Sequence, residues 1–193
     1  MIVTLRFLFL LSLALFSTLP THLHASFSHQ SHIELPSQTH QSWQKQTHIH
    51  FFYHDLRTAD NPTIVQIIDT PKNVPYGFGT TFVVDNPMTE GPELSSKPVG
   101  RAQGIFGLAS LNDLGAFMLI NFAFMQGDYA GSSLSMLGRN PIAELNKEMP
   151  IVGGTGVFRF ATGYAIANDL QQLSTPEHVV VEYNVTVRHS SLM

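Results

Sequence analysis

From Thr47 onward, hydrophobic residues recur in short runs punctuated by Gly, Pro, Asn and Asp, and no long stretch keeps the period of an amphipathic helix. The segments "THIHFFYHD", "PYGFGTTFVVD", "VGRAQGIFGL", "GAFMLINFAFM", "GTGVFRFATGYAIA" and "HVVVEYNVTV" are rich in Val, Ile, Phe, Tyr and Thr and read as strands. The shorter runs "TIVQIID" and "SSLSML" bring the total to about eight strands, with turn signals at "DNP", "TEGP", "LND" and "GRNP". This pattern predicts an all-β fold, an eight-stranded antiparallel β-barrel, because closure removes exposed edges and eight strands leave room for packed side chains or one small ligand. A β-sandwich is the alternative.

Strand alternation sorts the first segment into two faces. Thr47, Ile49, Phe51, Tyr53 and Asp55 share one, and His48, His50, Phe52 and His54 the other. If the first face lines the barrel, Phe51 and Tyr53 form an aromatic wall for a substrate. Asp55 then ends that wall as a desolvated carboxyl able to exchange a proton near neutral pH. The bland alternative is an acid where the strand runs out into a loop. His48, His50 and His54 spread over about 20 Å of strand, too far for one metal ion, which only His48 and His50 could share. They are expected to be solvated or to face another subunit. Asn184 in "NVT" is a glycosylation sequon, whereas "NPT" at Asn61 is blocked by its proline. Asn184 is out of phase with Val181, Tyr183 and Val185, so it should point outward.

The first twenty residues, "MIVTLRFLFLLSLALFSTLP", place Arg6 before an apolar run too short to span a membrane. Residues 1–25 are therefore expected to be a signal peptide, cut after Ala25 or near Ser17 or Thr18. Residues 26–46, polar and His-rich, are expected to be a flexible lead-in, and residues 47–193 the folded domain. At 193 residues and 44% hydrophobic, the chain suffices for one domain with a real core. Charged residues make up only 12%, against about 25% in an average protein. A net charge of -4 and the lack of any basic run argue against a nucleic-acid partner, and the absence of cysteine excludes disulfides and thiol chemistry. "GGTGVF" at 153–158 lacks phosphate-loop spacing, so its glycines are expected to serve a tight turn or close packing.

In such a sparsely charged chain, "GDYAGSSLSMLGRNP" draws notice because Asp128 and Arg139 stand alone in it, about one strand apart. Two charges at the ends of a short strand would explain them. The ordered motifs "FFYHD", "VVDNPMTEGPELSSKPVGRAQGIF", "NFAFMQGDYAGSSLSMLGRNP", "EMPIVGGTGVFRFATGYA" and "VVEYNVTV", spread between about His50 and His189, resemble the plant dirigent proteins. The resemblance implies a barrel secreted to the apoplast, with an internal pocket and homo-oligomeric assembly, commonly as trimers, with a dimer as the alternative. It also implies a role in steering phenoxy radicals, made by a separate extracellular oxidase such as a laccase, into one stereoisomer of a lignan. No cofactor or redox centre belongs to such a protein. By the same resemblance, Asp55, Asp128 and Arg139 match pocket acids and base.

This chain departs from relatives in having Ala130 after "GDY", Thr162 where many carry Arg, and Phe106 where Tyr is frequent. The family also includes proteins resembling pterocarpan synthases, which dehydrate an isoflavanol through a quinone methide without an oxidant. Other members help pattern lignin in cell walls. Stereo-directed coupling is the leading expectation, with dehydration and a non-catalytic wall role beside it.

Overall fold

The computed structural model describes residues 28–31, 44–57 and 61–190. The expected signal peptide lies outside them. The strands are β1 (Ser28–Ser31), β2 (Gln44–Leu56), β3 (Ile64–Ile68), β4 (Thr81–Thr89), β5 (Pro98–Leu108), β6 (Gly115–Phe124), β7 (Ser133–Pro141), β8 (Lys147–Thr155), β9 (Thr162–Asp169) and β10 (His178–Ser190). All pairings are antiparallel, in the order β1-β2-β10-β9-β8-β7-β6-β5-β4-β3, and a further β2–β4 pairing closes the eight inner strands into a barrel. A sandwich is thereby excluded.

The closing seam is short, with only Phe52↔Thr89 and Tyr53↔Met88 in register. Below it β1 pairs with β2, and above it β3 pairs with β4. Thr63 bridges the splayed strands, its N–H donating to the Leu56 carbonyl at 2.9 Å and its carbonyl accepting from the Asp85 N–H at 2.8 Å. β1 falls in the stretch expected to be a flexible lead-in, and β2 starts at Gln44, ahead of the expected Thr47.

The strand count agrees with the expectation, but its membership differs. "TIVQIID" forms β3, which flanks the barrel. The eighth wall strand is β8, "KEMPIVGGT", whose Glu148 and Pro150 disguise it. Its odd positions Lys147, Met149 and Ile151 are buried, while Glu148, Pro150 and Val152 face out. The first "DNP", at 60–62, falls between β2 and β3, whereas the second, at 85–87, and "GRNP" lie inside β4 and β7 rather than in turns.

Inward aromatic residues pack one end of the barrel. Phe51 stacks on Tyr183 at 5.4 Å between ring centroids and meets Phe122 edge-on at 5.0 Å. Beyond them, two equivalent 3-10 turns, Gly127–Tyr129 and Gly156–Phe158, insert Tyr129 and Phe158 as plugs 4.9 Å apart. Each turn opens on a glycine of positive φ, +68° at Gly127 and +58° at Gly156, so the glycine-rich stretch does serve a tight turn. At Gly104 of β5 the requirement is close approach, because a Cβ there would lie 2.0 Å from the Leu119 carbonyl oxygen.

Candidate active site

A cavity of about 140 Å³ lies at the barrel's other end. It exists because inward positions there are small, notably Ala116 on β6 and Ala167 on β9, whereas phenylalanines occupy the base. Tyr53, Phe106, Met118, Val179, Val181 and Tyr183 supply apolar and aromatic lining. The charged groups are Asp55, Arg57, Lys147 and Asp169, and Asn140 adds an amide.

Two ion pairs set the chemistry. Arg57 donates to Asp55 Oδ2 through Nε at 3.2 Å and Nη2 at 3.1 Å, with the Asp55 side chain 8% exposed and that of Arg57 48%. The second carboxylate oxygen, Oδ1, is buried without a hydrogen-bond partner. Burial raises the Asp55 pKa, and Arg57, followed by His178, offsets only part of that rise. Lys147 Nζ contacts Asp169 Oδ1 at 2.5 Å, the lysine side chain 4% exposed and the aspartate 36%. Asp55 and Asp169 flank β10, opposite Val179 and Val181 respectively. That places them two strand spacings across and two residues along β10 from each other, about 12 Å between backbones on the cavity wall. Burial also keeps the Tyr53 and Tyr183 phenols protonated, with pKa values above the ordinary tyrosine range.

Of the residues singled out in the sequence, Asp55 and Tyr53 are in this cavity and three others are not. Phe51 lies beneath it, fully buried in the aromatic core. Asp128 is exposed on its 3-10 turn and borders a separate cleft with Glu90, Lys97 and Tyr129. The turn sends Tyr129 inward and leaves Asp128 outside. Arg139 points outward and pairs with Asp113 at 2.7 Å, because on β7 the even residues Leu134 and Met136 face the core. Arg57 is the arginine that meets the pocket acid. Asn184 is exposed on the outer face of β10, as its phase predicted.

The histidines are committed to individual partners: His48 to Thr186 at 2.8 Å, His50 to Glu182 at 2.8 Å, and His54 to Thr89 and His178. Of the departures from relatives, only Phe106 reaches the cavity, stacked on Phe82 at 4.9 Å; Ala130 and Thr162 are exposed. Arg57 and Asp169 were within reach of sequence reasoning, since each shares the parity of its strand's inward residues. Lys147 was hidden with β8.

The dirigent-like protein family model matches residues 46–188. Dirigent protein 21 of Arabidopsis thaliana is 46% identical over 143 residues, 73% of this chain and 76% of its own length. Pterocarpan synthase 1 of Glycine max is 46% identical over 144 residues, 73% of this chain and 77% of its own. Among solved structures, the pterocarpan synthase dirigent protein GePTS1 aligns with a TM-score of 0.71 at 40% identity, over 78% of this chain and 88% of that one. The similar protein PsPTS1 gives 0.69 at 43%, over 76% and 96%. The described barrel and these matches agree: the chain belongs to the dirigent protein family and is closely related to its pterocarpan synthases.

Proposed function

We propose that the protein is a pterocarpan synthase-like dehydratase, removing water from an isoflavanol by way of a quinone methide. The observation that carries this reading is Asp55: a buried carboxyl with a raised pKa and a free oxygen, set in an aromatic-lined cavity. The likeness to pterocarpan synthases supports the same choice.

In this reading the Asp55 carboxyl gives its proton to the benzylic hydroxyl, the C–O bond breaks and water leaves. The conjugated phenol passes its proton to Asp169, forming the neutral quinone methide, while Lys147 steadies the charge that develops on the phenol oxygen. A second phenol of the substrate attacks the methide carbon and gives its proton to the Asp55 carboxylate. The quinone methide oxygen takes back the proton held by Asp169. The sum is loss of one water with both acids restored, and no oxidant enters. The aromatic wall holds the intermediate in one orientation, which fixes the stereochemistry of closure.

Incubating the purified protein with an isoflavanol and no oxidant tests this. A cyclised product of high enantiomeric excess on chiral chromatography is expected. No turnover here, with enantiomeric excess from coniferyl alcohol only when a one-electron oxidant is added, would instead assign the pocket to lignan-type radical coupling supplied by an external oxidase.

The barrel's outside supports homo-oligomeric assembly. Registered neighbours Val83, Ile105, Leu119 and Leu137 form an outward apolar row across β4 to β7, and Val83, Leu119 and Leu137 are each more than 40% exposed. A hydrogen-bonded polar row, Asp85–Gln103 and Asn121–Ser135, borders it. An apolar strip with a satisfied polar rim suits a subunit interface. Asn184, on β10, stays clear of it and open to glycosylation on a secreted protein. Among the described residues, no helix is long and apolar enough to cross a membrane.

A further inference from the structure

Asn86 on β4 is fully buried, yet neither its Nδ2 nor its Oδ1 has a hydrogen-bond partner. An unpartnered buried amide is costly, and replacing it with an apolar group of the same size would remove that cost. Its position explains why it is there. The β2–β4 seam pairs Tyr53 with Met88, and continuing that register by two residues sets Asp55 opposite Asn86 at the point where the strands splay. Three orphaned atoms thus belong to the two residues that border the end of the seam, the two of Asn86 and Asp55 Oδ1. The Asn86 amide lies beside the Tyr53 hydroxyl and favours its phenolate, although it closes no bond of normal geometry. Tyr53 itself lines the cavity.

We infer that Asn86 is a positioning residue acting through Tyr53: its N–H engages the Tyr53 oxygen and turns the Tyr53 O–H toward the ligand hydroxyl that Asp55 faces. That hydroxyl then receives two donors, the Tyr53 phenol and the Asp55 carboxyl, so that Asn86 Nδ2 and Asp55 Oδ1 both gain partners when it binds. The seam is therefore a subsite specific for a hydroxyl. The choice of hydroxyl rests on the dehydratase reading.

Binding calorimetry separates the two claims. The probes are an isoflavanol with every phenol methylated, which keeps the benzylic hydroxyl but forms no quinone methide, and the matching isoflavan without that hydroxyl. The unsubstituted protein should bind the first about tenfold more tightly than the second. Asn86→Leu should melt at the same or a higher temperature and bind both probes within about threefold. Tyr53→Phe should lose the same discrimination, and the double variant should lose no more than either single one. The inference is overturned by a folded Asn86→Leu protein that still discriminates tenfold, by additive losses in the double variant, or by equal or absent binding of both probes to the unsubstituted protein. Oxidant-free turnover of the parent isoflavanol without probe discrimination would remove this subsite and leave the dehydratase reading intact. Discrimination without turnover would do the reverse.

Discussion

Acidification from pH 7 to pH 4 is expected to cost about 3 kcal/mol of stability through His54 alone. His54 is fully buried on the outer face of β2. The Thr89 hydroxyl donates to the Gly91 carbonyl at 2.7 Å, so its oxygen receives the His54 Nε2–H, also at 2.7 Å. His54 Nδ1 is left as the acceptor of the His178 Nε2–H at 3.0 Å. A second proton on His54 would set N–H against N–H at a fully buried ring. Burial, reinforced by His178 and opposed by Glu93, lowers the His54 pKa from 6.5 to about 4. Between those values the unfolded chain carries the proton and the folded chain does not. The stability is therefore complete above about pH 6.5 and is lost progressively as pH falls from there to about 4, below which both states carry the proton. At about 1.36 kcal/mol per tenfold step in proton affinity, that gap gives the 3 kcal/mol. His189, whose pKa is also lowered by burial, adds a loss of the same sign. The assay is urea unfolding of the unsubstituted protein and His54→Gln at pH 7 and pH 4. The variant is less stable at pH 7 but should lose about 3 kcal/mol less between the two conditions. Equal losses would show that His54 does not carry this pH dependence.

Ala167→Phe should fill the cavity, costing about 1–3 kcal/mol by overpacking and abolishing isoflavanol binding in a protein that still melts cooperatively. Lys147→Met breaks the pair with Asp169, which is exposed enough to recruit water. Its stability loss should stay below about 3 kcal/mol while turnover falls at least tenfold, as separate melting and kinetic measurements would register. Leu119→Glu together with Leu137→Glu should convert the assembly to monomers in sedimentation velocity with the barrel's circular dichroism unchanged.

Much of the barrel is legible in the sequence because its strands alternate cleanly. Odd residues of β2 and β10 and even residues of β6 face the core, so Ile49, Phe51, Tyr53 and Asp55 fall where their parity places them. β8 was illegible because burying Lys147 inside a barrel requires Asp169 on the next strand, and no local pattern announces that partner. Arg139 and Asp128 lie outside the cavity for different reasons. Parity along β7 turns Arg139 outward, and the turn at Gly127–Tyr129 buries its aromatic residue and exposes its acid. Asn86 carries no signal in the sequence, because its meaning arises only where β2 and β4 meet and part.

The most direct test of the account is the turnover number of three single variants on an isoflavanol without oxidant. Asp55→Asn should fall by about 10²–10⁴-fold, the contribution of a positioned general acid, while Asp128→Asn and Arg139→Ala stay within about twofold of the unsubstituted protein. Full activity in folded Asp55→Asn, or its loss in either of the other two, would contradict the placement of the chemistry in the cavity between Asp55 and Asp169.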